Sequence, residues 1–146
     1  MVIQRVKEAR VEAEGRVTGA IGAGLLVLLG VAKTDSHQDA DYLVEKVLNL
    51  RIFSDDFGKM NRSVVEVNGG LLIVSNFTVY GDCRKGRRPS FDLAAGPEKA
   101  QELYEYFVGR AHAASIKVET GVFRASMSVF LENDGPVTLS CDSDRS

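Results

Sequence analysis

The longest apolar run of the chain covers residues 21–32 and includes three glycines, Gly22, Gly24 and Gly30. Its 12 residues are too few to cross a bilayer, because a membrane-spanning helix needs about 20 residues. Within the run, the sequence LLVLLGV at 25–31 is typical of a strand that is buried on both faces. The run therefore predicts an interior strand rather than a membrane segment.

The segment before this strand fits two patterns. Apolar residues at 2, 6, 9 and 13 have the spacing of a helical stripe, whereas those at 9, 11 and 13 alternate as in a strand. Gly15 and Gly19 interrupt the stretch that follows, so we favour a strand, a turn and a second strand.

Two later segments carry helical periodicity. The first has Asp35 or Ser36 as a suitable N-cap, and its apolar positions are Ala40, Leu43, Val44, Val47 and Leu48. The second has Pro97 in its first turn, and its apolar face consists of Ala100, Leu103, Tyr104, Phe107, Val108 and Ala111. Both patterns predict amphipathic helices.

Turn sequences predict two further strand pairs. Valines at 64, 65 and 67 precede the turn sequence Asn-Gly-Gly at 68–70, and a β-rich run follows, which predicts a hairpin. Late in the chain, strands around 127–131 and 137–141 flank the sequence Asn-Asp-Gly-Pro at 133–136. Strands outnumber helices and most connections are short, so we expect an α+β fold with a largely antiparallel or mixed sheet.

Chain length and composition favour one domain. The 146 residues match the size of a single domain, and neither a repeat nor a linker-like segment divides them. We therefore expect one domain over residues 1–146, with a short polar tail at about 142–146. The N-terminal sequence MVIQRVKEAR reaches a charge by residue 5 and has no apolar signal region, which predicts a soluble, cytoplasmic protein.

The charged residues are unevenly distributed. The chain has 18 Lys and Arg against 20 Asp and Glu, and a net charge of −2 taken alone argues against nucleic-acid binding. However, four of these cations lie close together at Arg84, Lys85, Arg87 and Arg88, in a loop that also contains two glycines and a proline. The remaining 14 cations face 20 anions, so an acidic body carries one basic loop suited to phosphate groups.

Residues that support common catalytic and metal sites are scarce. Cys83 and Cys141 are isolated, as are His37 and His112, so neither a disulfide nor a transition-metal site is expected. Only carboxylate-bound magnesium stays open as a metal site. The sequence has no G-x-S-x-G, P-loop or G-x-G-x-x-G motif.

Two segments are not fully explained by local structure. Residues 75–78 fit a strand that turns polar as it leaves the core, or a row of N–H and hydroxyl groups that binds an ester carbonyl and its oxyanion. Residues 133–138 fit a tight turn between strands. Local sequence alone leaves these alternatives open.

Together these segments resemble the D-aminoacyl-tRNA deacylase family. The resemblance is carried by SNFTVYGDCRKGRRPSF at 75–91 and NDGPVT at 133–138. IQRV, GLLVLLGV, LNLRIFSDDFGKMN, LYEYFV and TGVFRASM are also similar, in the family's order, up to about Leu139. The resemblance implies a barrel-like homodimer, without cofactor or metal, that hydrolyses the ester between a D-amino acid and tRNA and rejects L-aminoacyl-tRNA.

The resemblance also implies roles for particular residues. Ser75, Phe77 and Thr78 match the family's S-Q-x-T segment, which forms the floor of a pocket at the dimer interface, and they are the catalytic candidates. Gly135 and Pro136 match a Gly-cisPro motif that each subunit inserts into the pocket of the other. There the motif's carbonyl groups face the substrate amino group, and an L side chain would collide with the motif.

The same resemblance implies how the RNA binds. Phe123 and Met127 match positions that pack around the terminal adenine. The basic loop matches a segment near the acceptor end of the tRNA, and neither DNA nor a membrane is an expected partner. The family usually has Gln and Leu where this chain has Asn76 and Val79. Because Asn has a shorter reach, we leave Asn76 out of the catalytic residues.

The expected mechanism needs little from side chains. An aminoacyl ester is already activated, and the resemblance suggests that backbone groups and the terminal ribose 2′-hydroxyl do much of the catalysis. Steric exclusion predicts that many D-amino acids are accepted, as is glycine, including glycine mischarged on tRNA(Ala). Two alternatives are a catalytically weak module that binds tRNA acceptor ends and a dimeric scaffold that uses 133–138 only as a hairpin.

Overall fold

The computed structural model describes residues 1–145. Its strands are β1 (Val2–Ala13), β2 (Arg16–Ile21), β3 (Gly24–Leu29), β4 (Phe53–Ser54), β5 (Met60–Arg62), β6 (Gly70–Ser75), β7 (Val118–Thr120) and β8 (Ser128–Ser140). Its helices are α1 (His37–Asn49) and α2 (Pro97–His112), with a 3-10 helix at Phe77–Tyr80. The predicted strand–turn–strand at the start of the chain and both predicted helices are confirmed.

Six strands form a strongly curved mixed sheet. Their order is β2-β1-β3-β6-β7, and β8 pairs with the other edge of β1. The pairs that involve β1 are antiparallel, whereas β3–β6 and β6–β7 are parallel. The two ends of the sheet approach each other, because a β-carbon on Gly19 of β2 would lie 2.3 Å from the carbonyl oxygen of Thr120 in β7. The predicted α+β class with a barrel-like mixed sheet is confirmed.

Strand β3 is buried on both faces, as LLVLLGV predicts. Leu25, Val27 and Leu29 belong to the core between the sheet and the helices. Leu26 faces the barrel interior and is 1% exposed. Burial of apolar surface stabilises the folded state by about 25 cal/mol per Å². The buried side chains of β3 therefore stabilise the sheet on its helix-facing side and in the barrel interior.

The two helices pack on the outer face of the sheet. The N-cap of α1 is Ser36, whose backbone N–H donates to the Asp39 carboxylate at 2.8 Å. Pro97 is the first residue of α2. Tyr104 of α2 is buried, and its hydroxyl donates to the carbonyl oxygen of Ile73 in β6 at 2.8 Å. This bond fixes α2 along the strand that ends at residue 75. None of the helices within residues 1–145 is long and apolar enough to cross a membrane.

The hairpin predicted around Asn68-Gly69 is wrong. Residues 64–68 form a turn, and β6 pairs with β3 in parallel register, Leu25 opposite Leu71. The other edge of β6 is taken by β7. Both edges of β6 are therefore occupied, and the segment before it has no edge on which to form a strand.

The turn predicted at 133–136 is also wrong. A single strand, β8, runs through it, and both halves of that strand pair with β1. Asn133 lies opposite Val6 and Thr138 lies opposite Gln4, so residues 134–137 face only one residue of β1 and bulge out of the strand. The predicted polar tail begins after β8 and ends outside the described residues; within it, Ser143 is buried.

Candidate active site

A cleft opens where β6 ends. It has a volume of about 660 Å³ and lies between the 75–77 segment, the start of α2 and the segment that leads into β8. It is lined by Leu28, Val74, Ser75, Asn76, Phe77, Ala95, Pro97, Ala100, Phe123, Arg124, Ala125, Met127 and Val129. Most of these side chains are apolar, with a few polar groups at one end. This composition is typical of a small-molecule or cofactor site.

The polar end of the cleft is built by the change from strand to 3-10 helix. Asn76 leaves the strand by donating its N–H to the Leu29 carbonyl oxygen at 2.9 Å. Its side-chain oxygen then accepts from the Thr78 N–H at 3.1 Å and from the Thr78 hydroxyl at 2.5 Å. Asn76 is thus the N-cap of the 3-10 helix. Ser75 and Phe77 line the cleft, whereas Thr78 lies beside it.

The opposite wall carries Phe123 and Met127, both half-buried. The ring of Phe123 packs against the ring of Tyr104, with 5.9 Å between ring centroids. Arg124, between them in sequence, has a φ of +63° and an exposed side chain that also lines the cleft. Arg124 is not among the site residues predicted from the sequence, although it lies inside TGVFRASM, because no local pattern marks it.

Gly135 and Pro136 lie outside this cleft. The peptide bond between them is cis, Gly135 has a φ of +144°, and both residues are exposed on the bulge of β8. The Asn133 side chain closes the bulge by accepting from the Val137 N–H at 2.8 Å and donating to the Val137 carbonyl oxygen at 3.1 Å. These hydrogen bonds therefore fix the conformation of the bulge.

Arg5 holds the bulge from below. Arg5 is only 9% exposed. Its Nε donates to the Asp134 carbonyl oxygen at 2.9 Å, and its Nη1 donates to the Ile52 carbonyl oxygen at 2.6 Å. The Asp134 carboxylate lies 3.6 Å from the same Nε. Arg5 is not among the predicted site residues either. A charged residue between the apolar residues Ile3 and Val6 of a strand nevertheless indicates a buried side chain that needs a polar partner.

The basic loop is closed at its base by Asp82 and Ser90, which exchange backbone hydrogen bonds of 2.7 and 2.9 Å. Arg84 is bound to Asp82 through two side-chain bonds of 2.9 and 2.7 Å, and this guanidinium lowers the pKa of Asp82 to about 2. Lys85, Arg87 and Arg88 are exposed, with no ion pair inside the described part of the chain. The free positive charge of the loop is therefore three rather than four.

The family model described as "D-Tyr-tRNA(Tyr) deacylase" matches residues 2–142. The chain belongs to this family. It is 59% identical to a D-aminoacyl-tRNA deacylase of Thermosipho melanesiensis (strain DSM 12029 / CIP 104789 / BI429), covering 99% of this chain and 97% of the relative. It is also 59% identical to a D-aminoacyl-tRNA deacylase of Koribacter versatilis (strain Ellin345), with the same coverage.

Two solved structures have a similar fold. A structure titled "c-Myc DNA Unwinding Element Binding Protein" has a TM-score of 0.89 and 38% identity, with 94% of each chain covered. A structure titled as a probable eukaryotic D-amino acid tRNA deacylase has a TM-score of 0.83 at 16% identity, covering 94% of this chain and 95% of the other, and shows the fold alone. The resemblance predicted from the sequence is confirmed, while the roles of individual site residues stay predictions.

The two residues at which this chain differs from the usual family sequence, Asn76 and Val79, both make local contacts. Asn76 uses its short side chain to cap the 3-10 helix locally. Val79 packs against Gly30, where an added β-carbon would lie 2.2 Å from Val79 Cγ2. Residues 1–145 contain no group of three or more His, Cys, Asp or Glu side chains that could hold a metal ion.

Thr78 is not activated as a nucleophile by its neighbour in this deacylase-family site. Its hydroxyl donates to an amide oxygen, and an amide is not a base. We expect Thr78→Val to lower kcat by less than about tenfold, the effect of one lost hydrogen bond, whereas removing a nucleophile costs about 10⁴-fold or more. Single-turnover hydrolysis of D-Tyr-tRNA measures this, with Thr78→Ser as the matched control. A loss of 10⁴-fold confined to Thr78→Val would give the hydroxyl the central role.

Proposed function

We propose that this chain hydrolyses the ester bond of D-aminoacyl-tRNA, releases the free D-amino acid and tRNA, and leaves L-aminoacyl-tRNA intact. The observation that carries the proposal is the match of nearly the whole chain to relatives named D-aminoacyl-tRNA deacylase, at 59% identity over 145 residues in one case. The cleft at the end of β6 supports it, because it combines an apolar wall with polar groups at one end. The cytoplasm stays the predicted location.

The proposed chemistry relies on positioned backbone and RNA groups. The described residues that line the cleft include neither a carboxylate nor an imidazole, so no side chain there is suited to be a general base. The Ser75 hydroxyl and the backbone N–H groups of 75–78 are the donors available to a developing oxyanion. A water molecule, which the ribose 2′-hydroxyl helps to position, then attacks the activated ester carbonyl. The tetrahedral intermediate collapses, and the ribose oxygen of the ester leaves and takes up the proton that the water gives up.

Selection against L-amino acids is assigned to Gly135 and Pro136 of a second copy. These residues are exposed and lie outside the cleft of their own chain, so the motif is available to a neighbour. Strand β8 is also mostly exposed over its 13 residues and carries exposed apolar side chains at Phe130, Leu131 and Leu139. Such a surface supports the proposed homodimer. Glycine has no side chain to collide, so glycyl-tRNA, including glycine mischarged on tRNA(Ala), is a further proposed substrate.

One assay tests the proposed function directly. Purified protein is incubated with D-Tyr-tRNA, L-Tyr-tRNA and glycyl-tRNA(Ala), each with and without EDTA. We expect release of D-Tyr and glycine but not of L-Tyr, at rates that the chelator does not change. Binding of D-Tyr-tRNA without turnover would favour the acceptor-end binding module, and the absence of both binding and turnover would favour the scaffold.

The basic loop gives a graded prediction for tRNA binding. Arg84→Gln should change tRNA affinity little, because that guanidinium is already paired with Asp82. Neutralising Lys85, Arg87 or Arg88 should weaken binding and flatten its salt dependence by up to about 0.7 log units per lost contact on a single strand. Binding isotherms at several salt concentrations measure the slope, with a DNA duplex as competitor. Equal effects at Arg84 and the other three positions would contradict this ranking.

A further inference from the structure

Arg124 is the one charged residue among the described residues that line the cleft. Its side chain is exposed and makes no hydrogen bond or ion pair within residues 1–145. Its φ of +63° lies in the left-handed region that favours glycine. A long cationic side chain at such a position, without a hydrogen-bond or ion-pair partner in the described part of the chain, points to a ligand.

The chemistry of the proposed substrate limits what that ligand is. The ester carbonyl is neutral, the adenine base is neutral, and the α-amino group is a cation that a guanidinium would repel. The phosphates of the RNA backbone are the anions present, and a guanidinium binds phosphate through paired N–H donors. A group in the cleft that attracts Arg124 is therefore a phosphate.

The position of Arg124 selects one phosphate. It lies next to Phe123 and three residues before Met127, and all three line one side of the cleft. If the terminal adenosine packs on Phe123 and Met127, the nearest phosphate is the one on its 5′ oxygen. We propose that Arg124 binds the phosphate that joins the terminal adenosine to the nucleotide before it, and so selects tRNA ends over free aminoacyl nucleosides. This inference rests on the proposed function and deepens it.

A pair of small substrates tests the proposal. D-tyrosyl esters of adenosine and of adenosine 5′-phosphate differ only by the phosphate. The unchanged protein should have a kcat/KM about tenfold higher for the ester with the phosphate, the value of one charge-assisted contact. Arg124→Gln should abolish this preference by lowering kcat/KM for the ester with the phosphate to the value for the adenosine ester. Arg124→Lys should retain part of the preference.

Two controls separate the contact from other effects. Arg16→Gln removes an exposed arginine of β2 outside the cleft and should change neither substrate. Arg124→Gly removes the side chain in a residue suited to the positive φ, so it should match Arg124→Gln in selectivity without loss of thermal stability.

Several outcomes would overturn the proposal. These are an equal loss on both esters, an unchanged preference in Arg124→Gln, or a shift in the dimer dissociation constant with selectivity intact. Failure of the proposed function is a different result, because the unchanged protein would then hydrolyse neither ester. In that event, calorimetry with the matching amide-linked D-tyrosyl analogues still tests the contact: Arg124→Gln should lose the phosphate-dependent part of the affinity, and an unchanged affinity ratio would overturn the proposal.

Discussion

Mixing two inactive variants of this chain should restore hydrolysis of D-Tyr-tRNA. The first, Ala100→Trp, fills the cleft from α2 and leaves the bulge of β8 untouched. The second, Gly135→Val, leaves the cleft untouched and distorts the bulge. At Gly135, φ is +144° and a β-carbon would lie 2.8 Å from the Val137 nitrogen, so a branched side chain cannot be accommodated without displacement of the backbone.

Each variant alone should lose about 100-fold or more of kcat/KM, since misplacing a positioning group by about 1 Å costs that much. In a mixed dimer of the proposed kind, the open cleft of the Gly135→Val chain would receive the intact bulge of the Ala100→Trp chain. Random pairing makes half of all dimers mixed, each with one complete site of two. Mixed dimers isolated from the other species should therefore recover about half of the unaltered activity.

The measurement is single-turnover hydrolysis after the two chains have been co-expressed with different tags and purified through both. Each variant co-expressed with itself is the control, and thermal unfolding shows whether each one folds. If the bulge acted on the cleft of its own chain, no mixture would regain activity. Recovery therefore separates a site shared between subunits from a site within one.

Local sequence predicts this fold where the deciding contacts are local. Helix α2 has its Pro97 start and its apolar face within one segment, and the capping of α1 by Ser36 needs only Asp39, three residues on. The strand at 25–31 was predicted to be buried on both faces because its composition alone requires it.

The errors arise where pairing partners are distant in sequence. The Asn-Gly sequence at 68–69 does form a turn, but parallel pairing of β6 with β3 and β7 decides what the flanking valines do. The Gly135-Pro136 sequence looks like a hairpin turn, yet both halves of β8 pair with β1, more than 100 residues away. The Ser75–Phe77 side of the cleft could be predicted from one segment. Arg124, in contrast, can be recognised as a cleft residue only in the folded structure.

Arg5→Met should uncouple the bulge of β8 from the rest of the fold and lower kcat/KM for D-Tyr-tRNA about 100-fold. The guanidinium joins two segments, because it donates to the Asp134 carbonyl oxygen, 129 residues away, and to the Ile52 carbonyl oxygen after α1. Methionine has a similar length, but it cannot donate to the buried Ile52 carbonyl oxygen or to the partly buried Asp134 carbonyl oxygen.

The loss of stability should not account for the loss of activity. Leaving a carbonyl group unpaired costs about 1–3 kcal/mol in a buried site. The Ile52 acceptor is buried but the Asp134 acceptor is only partly buried, so the free energy of unfolding should fall by about 2–4 kcal/mol. Most of the protein then stays folded, and the loss of activity reports the position of Gly135 and Pro136. Selectivity is the sharper readout. If the bulge excludes L side chains as proposed, a mobile bulge would exclude them less well, and the ratio of D-Tyr to L-Tyr release should fall.

Asp134→Asn provides the matched control. It removes the ion pair, in which the Nε–carboxylate distance is 3.6 Å, but it keeps the carbonyl oxygen that Arg5 binds. Because the Asp134 side chain is 44% exposed, solvent screens that pair, and its loss should change the free energy of unfolding by less than about 1 kcal/mol. Activity and the D-to-L ratio should stay near those of the unaltered protein. If Asp134→Asn matched Arg5→Met in both readouts, the charge rather than the carbonyl contact would hold the bulge in place.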